Sequence, residues 1–496
     1  MAVGADDPPG RPASSPRHGW TQTQARDPGH NRPMKIPDRP AGSYPLRYYL
    51  LTLGCPKNEV DSEGMAQRLR LAGHRAVADP AEADVLVVNT CGFIDPAREE
   101  SLAALRELAA AKTPDQRLIA AGCLAELAGD SLRTLVPGVD AILSTRRSHE
   151  IVTVVEGQLS SLAAPALASP PRLVSTPSAY LQIAEGCDSP CAFCLLPRIK
   201  GPYRSKPVPR ILREARELAA QGVQEIILIA QDTTAYGSDE GESDGLARLL
   251  TALVEAVPQV PWLRVMYATP YRITPRLIET MATQPQVCHY LDLPLQHAHP
   301  ATLRRMARPA DMDRVRRVIQ DLRMAMPDIA LRTTFIVGYP GETNGEFQAI
   351  LDLLHEVQFD HVGAFTFWPQ AGTPAASLPD PVPPSIRQER YHRLMQVQQA
   401  ISQARNQAQV GRELAVLVEG QAEIEKAGSR PAAPGQRRRR ERAWLTVGRC
   451  YRDAPEIDGL VWVNTDASPP PGAWLTVRIT AATEYDLWGV TSFSTC

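Results

Sequence analysis

Cysteines at 187, 191 and 194, in the stretch EGCDSPCAFC, crowd three thiols into one loop, a donor set suited to soft metal centres. Zinc and ordinary iron–sulfur clusters take four protein ligands, so this set is one short. Zinc would need a nearby His or a fourth Cys, and the loop offers neither; Cys288, Cys450 and Cys496 lie far off in unrelated contexts. A 4Fe–4S cluster on three cysteines leaves one iron open, and an open metal position is how a catalytic site admits substrate. The structural alternatives are a zinc ion or thiols buried without metal.

A second set is spread over the first part of the chain. TLGCPKNEVDSEG holds Cys55, NTCGFI holds Cys91 and AAGCLAEL holds Cys123, beside Gly54, Gly92 and Gly122. Each cysteine ends an apolar run, and glycines there would let the backbone approach a bulky object closely. Buried free cysteines are the bland alternative, since free Cys is among the most buried residue types. Three thiols at one edge predict a second metal site, again one ligand short.

The surrounding patterns supply the elements that position these residues. YYLLTL (48–53), DVLVVN (84–89) and RLIAAG (117–122) read as strands, with helices near 59–73 and 96–111. This βαβαβ order predicts a parallel sheet over 47–155, with its ligands at one strand edge. Over 179–405, AYLQIAEGC runs into the cysteine loop, and EIILIAQD, WLRVMYAT, HYLDLPLQH, IALRTTFIVGYPGE and HVGAFTFW follow as strands. Helical patterns lie between them, among them 209–222 and 302–325. Six β–α units predict a partial (β/α)6 barrel with active groups at the strand C-termini, where Cys187, Gln231–Asp232, Gln296–His297 and Gly338–Glu342 fall. Over 411–496, five short alternating strands predict a small antiparallel β-barrel. The expected fold class is α/β with this third, all-β domain.

Composition bounds the class. The 496 residues require several domains, and 44% hydrophobic with 22% charged residues is a globular composition. No run approaches a membrane span, and the start lacks a signal peptide's apolar core. Nine cysteines in short Gly-flanked contexts suit a reducing cytoplasm. Residues 1–46, rich in Pro and Arg, read as a disordered leader, and 156–178, rich in Ala, Ser and Pro, as a linker. The tail is neutral overall, but without its Arg-rich insertion 424–443 it carries a net charge of −5. A phosphate-binding surface should be basic, so an acidic barrel suits a basic protein partner. The run Arg437–Arg440 reads as part of a mobile solvated loop.

CxxxCxxC after the first strand of a partial barrel resembles the radical S-adenosylmethionine superfamily. The resemblance implies that the open iron takes the amino and carboxyl groups of S-adenosylmethionine and that an electron frees a 5′-deoxyadenosyl radical. It places Phe193 and VGYPGET, with Val337 and Gly338, along the adenine, and Gln231, Asp232 and Arg332 near the methionine and ribose. A core aromatic and a tight turn are the plain readings of Phe193 and VGYPGET. The whole arrangement, from about 47 to 493, is similar to the methylthiotransferases, whose small barrel is called TRAM. By that likeness Cys55, Cys91 and Cys123 hold an auxiliary 4Fe–4S cluster carrying the sulfur, and Cys187, Cys191 and Cys194 hold the radical cluster. One S-adenosylmethionine supplies the methyl group and another the radical, because an unactivated C–H bond offers no acidic proton to a base.

One branch of that family modifies tRNA adenosine; the other modifies the β-carbon of an aspartate in small-subunit ribosomal protein twelve. GCPKNEVDSE, YLQIAEGCD, IAQDTTAYG, VGAFTFWPQAGTPA, YRDAPEIDG and YDLWG look like the second, whose reaction implies a low-potential electron donor and sulfide or a sulfur carrier. The acids Asp453, Glu456 and Asp458 of YRDAPEIDG are expected to face substrate or solvent. DAILSTRRSHE (140–150), GPYRSKP (201–207) and the Arg-rich insertion depart from the family pattern. A non-catalytic iron–sulfur carrier is the alternative of a different class, and it leaves two open iron sites unexplained.

Overall fold

The computed structural model describes residues 45–157, 174, 176–427, 440–465 and 467–492. The expected leader, most of the expected linker and Arg437–Arg439 lie outside the described residues.

Five parallel strands, β1 (Arg47–Thr52), β2 (Arg75–Ala76), β3 (Val85–Thr90), β4 (Arg117–Gly122) and β5 (Ala141–Ser144), form the first sheet in the order β2-β1-β3-β4-β5. Helices α1 (Pro56–Leu71), α2 (Asp95–Ala111), α3 (Cys123–Ala128), α4 (Ser131–Leu135) and α5 (Ile151–Val155) cover both faces. Val85 and Val87 meet α1 and α5 on one side, and Leu86 and Val88 meet α2, α3 and α4 on the other. A strand buried on both faces must be apolar throughout, which is why VLVVN shows no alternation. The strand order reverses between β1 and β3, and the crevice at such a switch point is where open α/β sheets bind ligands. Cys55 and Cys91 flank it.

The central unit begins with β6 (Ser178–Gln182), followed by a ribbon of β7 (Ala184–Glu185) and β8 (Arg204–Ser205) that closes the base of the cysteine loop and of α6 (Leu196–Lys200). Then come α7 (Val208–Ala220), β9 (Glu225–Ile229), α8 (Gly245–Ala256), β10 (Trp262–Val265), α9 (Pro275–Thr283), β11 (Val287–Gln296), α10 (Pro300–Arg305), α11 (Met312–Ala325), β12 (Ala330–Val337), α12 (Asn344–Val357), β13 (His361–Thr366) and α13 (Pro384–Gln407). All six long strands are parallel and neighbour one another in chain order from β6 to β13, an open six-unit barrel. The pattern at 302–325 is two helices, not one. Ala307 turns left-handed at φ 53, Pro309 has no N–H to give, and Asp311 caps α11 by accepting from Arg314 N.

Strands β14 (Glu413–Ala427), β15 (Arg440–Arg449), β16 (Val461–Asn464), β17 (Trp474–Ala482) and β18 (Leu487–Thr491) close into a barrel in the order β14-β15-β16-β18-β17. It is antiparallel except for β16 and β18, which run parallel because β17 crosses to pair with β14 before its hairpin returns β18 beside β16. The β14–β15 ladder continues to Ala427↔Arg440, so the hairpin strands reach into both ends of the expected insertion. Leu417, Ala454, Tyr451 and Trp474 of this barrel pack on the inner face of the central sheet, against Tyr180, Ile227, Trp262 and Tyr290, and Val60 of α1 joins them. Trp474 meets Trp262 edge-on at 4.6 Å. Beside them Arg449 is sealed between Glu225 (2.7 Å) and Glu419, and Arg264 holds the other oxygen of Glu225 at 2.6 Å.

Candidate active site

Cys55 is the exposed N-cap of α1, Cys91 follows β3, and Cys123 opens α3. Asn58 stitches these strand ends together. Its Nδ2 donates to Leu53 O (2.7 Å) and Thr90 O (3.2 Å), its carbonyl accepts from Asn89 Nδ2 (2.8 Å), and the Cys123 thiol points at its Oδ1 (3.6 Å). Sequence reasoning missed Asn58; its place three residues after Cys55 was the available signal. The flanking glycines serve their neighbours rather than an outside object. A Cβ on Gly54, at φ +99, would lie 2.7 Å from Cys91 Cβ and 3.0 Å from its sulfur, and one on Gly122 would lie 2.3 Å from Asn89 Oδ1.

Cys187, Cys191 and Cys194 are half-buried, and each sulfur is met by a donor: Ser189 N at 3.4 Å, Arg308 Nη1 at 3.6 Å and Leu196 N at 3.4 Å. Donors aimed at all three sulfurs suit thiolates bound to a cluster, whose properties such bonds tune. Burial, then the neighbouring thiols, pushes Cys91 up to about 11 and Cys123 to about 12, and burial with Cys191 and Cys187 pushes Cys194 to about 12. Thiols so placed bind a metal by releasing protons. Among the described residues no three His, Cys, Asp or Glu side chains close on one point as the ligands of a single ion would. A four-iron cluster asks for less, because each cysteine binds a different iron.

The two triads are braced to one another. Lys200, at the end of the helix that follows Cys194, sets its Nζ 2.8 Å from Asp61 Oδ2 on the helix that follows Cys55, 2.7 Å from Thr145 Oγ1 and 3.3 Å from Glu185 Oε1. Two segments that depart from the family pattern meet here as well: Arg146 donates to Ile199 O at 2.9 Å and to Arg198 O, and its guanidinium lies beside Gly201. Lys57, in the first turn of α1, is close enough to Cys55, Cys123 and Cys194 for its charge to act on all three.

The expected S-adenosylmethionine contacts divide. Gln231 follows β9 with both amide atoms sealed from water and without a partner, a site that asks for a polar ligand. Asp232 accepts from Thr234 Oγ1 at 2.6 Å and faces Arg272 at 3.5 Å. Phe193 lies against the apolar group of Ala192, Met306, Tyr339 and Phe367, as a core aromatic does. The Val337 side chain is inside the main core and its carbonyl accepts from Phe367 N (2.8 Å). Gly338 N donates to both carboxylate oxygens of buried Glu342 (3.0 Å each), which also takes Arg390 Nη1 (2.6 Å) and faces His297 Nε2 (3.2 Å). VGYPGET is therefore a turn closed on its own glutamate.

Arg332 is committed elsewhere: its Nη1 donates to Asp292 (3.0 Å) and its Nε to Asp458 of the C-terminal barrel (3.3 Å). Burial opposes its charge, and those two carboxylates more than offset it, raising its pKa. Asp453 and Asp458 do not face substrate or solvent as expected. Asp458 takes the Tyr290 hydroxyl (2.7 Å) and Ala454 N (3.0 Å), Asp453 lies 3.5 Å from His361 and accepts from Cys450, and both carboxylates are buried; of the three acids Glu456 alone is exposed. Internal pairing takes these carboxylates and Glu419 out of the acidic-surface argument, but it takes Arg449 and Arg452 with them, so the remaining balance stays acidic.

Comparison with known proteins agrees with this architecture. Residues 47–144 match the uncharacterized protein family UPF0004, 181–354 the radical SAM superfamily and 438–491 the TRAM domain. The chain is 50% identical over 477 residues to the ribosomal protein uS12 methylthiotransferase RimO of Chloroflexus aurantiacus, covering 90% of this chain and 99% of that one. RimO of Roseiflexus sp. is 49% identical over 90% of this chain and 97% of its own. RimO of Symbiobacterium thermophilum is 43% identical over 92% and 93%. Sharing close to half its residues with these relatives along nearly their whole length, the chain belongs to the RimO family of radical S-adenosylmethionine methylthiotransferases.

Proposed function

We propose that this enzyme inserts a methylthio group at the β-carbon of an aspartate in ribosomal protein uS12, with Cys187, Cys191 and Cys194 holding the radical cluster and Cys55, Cys91 and Cys123 a second, auxiliary one. The observation that carries the two-site reading is the pair of three-thiol sets at the strand ends of two parallel sheets, braced by Lys200 and both within reach of the Lys57 charge. The named substrate of the relatives supports uS12 as the target.

When bound, the clusters and S-adenosylmethionine supply a carbon-based radical and the sulfur and methyl to be transferred. The chain's residues hold and orient them. Ser189 N, Arg308 and Leu196 N donate to the radical-site sulfurs, Asn58 fixes the spacing of the auxiliary thiols, and the unpartnered Gln231 amide is the polar contact offered to S-adenosylmethionine. Asp232 stays among the expected methionine and ribose contacts, and Phe193, Val337 and Gly338 among those expected along the adenine. Arg332 acts through the interdomain tie and not on the cofactor. A low-potential electron donor and a source of sulfide or a sulfur carrier complete the reaction, in the cytoplasm where ribosomes are. No helix among the described residues is long and apolar enough to cross a membrane.

The test is anaerobic turnover of reconstituted enzyme with reductant, sulfide and S-adenosylmethionine, offered uS12 and unmodified tRNA together. A methylthio mass gain on an aspartate peptide of uS12 is expected. A gain on the nucleoside alone would assign the tRNA reaction, and none on either would favour an iron–sulfur carrier. Cys55→Ala and Cys187→Ala should each lose about half of the bound iron, one cluster of two.

A further inference from the structure

Lys57, in the first turn of the helix that follows Cys55, acts electrostatically on thiols of both cysteine sets, yet it makes no hydrogen bond or ion pair with any described side chain. Its ammonium lies 3.8 Å from the centroid of the Tyr267 ring, and the residue as a whole is half-buried. Asp292, the carboxylate whose charge acts on it, is taken by Arg332 and by Tyr267 N.

Two features show that this seat is built rather than incidental. Lys57 is the second residue of α1, where the helix dipole disfavours a cation, so the stability of the helix does not call for it. Tyr267, which carries the ammonium on its ring face, stands just past β10 at φ 60, a left-handed conformation uncommon for a bulky residue. It is held there by Asp292 Oδ2, which accepts from its N–H at 3.2 Å, and by Thr233 N, which donates to its carbonyl at 2.9 Å. Backbone strain of this kind is retained where position matters.

We propose that Lys57, seated on Tyr267, binds the side-chain carboxylate of the residue to be modified and is thereby a specificity-determining residue for an acidic target. The inference rests on the methylthiotransfer reading above. Its chemical sense is direct. The β-carbon of an aspartate is bonded to the carboxylate carbon, so a fixed carboxylate fixes the reacting methylene to within one bond. An ammonium offers three donors to that carboxylate, and an amide in its place loses the charge that draws them. The competing role is charge balance for the neighbouring thiolates, which would make no distinction between acid and amide targets.

The test uses full-length enzyme reconstituted with iron and sulfide, with S-adenosylmethionine and without reductant, so that nothing turns over. Labelled uS12 and its variant with Asn in place of the target Asp are titrated by fluorescence anisotropy. The native enzyme should bind the Asp form about tenfold or more tightly than the Asn form. Lys57→Gln should bind both alike, at the native enzyme's affinity for the Asn form, with iron content unchanged. Lys57→Arg should retain most of the preference. Lys57→Met is the second variant should Lys57→Gln lose iron. An Asp preference that persists in either iron-replete variant, or is missing from the native enzyme, overturns the proposal. Turnover separates the two readings: a mass gain on uS12 with an unaltered preference sinks the Lys57 proposal alone, and no gain at all sinks the methylthiotransfer reading.

Discussion

Arg332 of the central sheet and Asp458 of the C-terminal barrel meet across the domain boundary, Nε to Oδ1 at 3.3 Å, while the other Asp458 oxygen takes the Tyr290 hydroxyl at 2.7 Å. Arg332 passes the contact on to Asp292, which fixes Tyr267. Asp458→Ala would leave a buried guanidinium short of a partner and the Tyr290 hydroxyl without one. It should cost about 3 kcal/mol of stability, read as a lower urea midpoint by tryptophan fluorescence. Asp458→Asn, which keeps an acceptor, should cost less.

Gln231 gives the opposite sign. Its amide is sealed without partners, so Gln231→Leu removes an unpaired polar group and should leave the melting temperature unchanged or raised. Affinity for S-adenosylmethionine, measured by equilibrium dialysis on the reconstituted enzyme, should fall about tenfold, the loss expected for a polar contact. A drop in melting temperature with unchanged affinity would make Gln231 a core residue.

Glu225 sets an acid limit. Burial raises its pKa, and Arg449 and Arg264 more than reverse this, leaving it at about 2 against an ordinary 4.5. A pKa depressed by folding adds stability that is whole above the unfolded value and is lost as pH falls through the folded one. This term, roughly 3 kcal/mol, should shrink below about pH 4.5 and be gone near pH 2. Melting temperatures measured between about pH 5 and about pH 3 should fall more steeply for the native chain than for Glu225→Gln.

Gly54→Ala tests the auxiliary set without replacing a ligand. The new Cβ would press on Cys91 at 2.7 Å and force a left-handed backbone at φ +99. Bound iron should drop by about half, while S-adenosylmethionine still perturbs the spectrum of the remaining reduced cluster.

What the sequence made legible was local. The cysteines of the first domain could be placed because each ends an apolar run beside a glycine, and a parallel sheet brings such ends to one edge. The break at Ala307–Asp311 was present in the letters as Pro309 and a capping Asp, and strong helical periodicity on both sides hid it. Asp453 and Asp458 were misread because charge does not reveal burial: their partners His361, Arg332 and Tyr290 lie more than ninety residues away. Lys57 stood inside a stretch read only for its cysteine, and its ring partner is supplied by a different domain. The parallel strand pair in the C-terminal barrel depends on which neighbour β17 chooses, and strand patterns alone do not encode that.

Lys200 ends a helix that starts beside Cys194 and Asp61 lies in the second turn of one that starts beside Cys55, so their contact works as a gauge block between two workstations. That contact sets the gap between the two sets from within the chain. A target residue must arrive on a segment slender enough to enter that gap and long enough to cross it. Selection among candidates is therefore made partly by the shape of the finger that presents the residue.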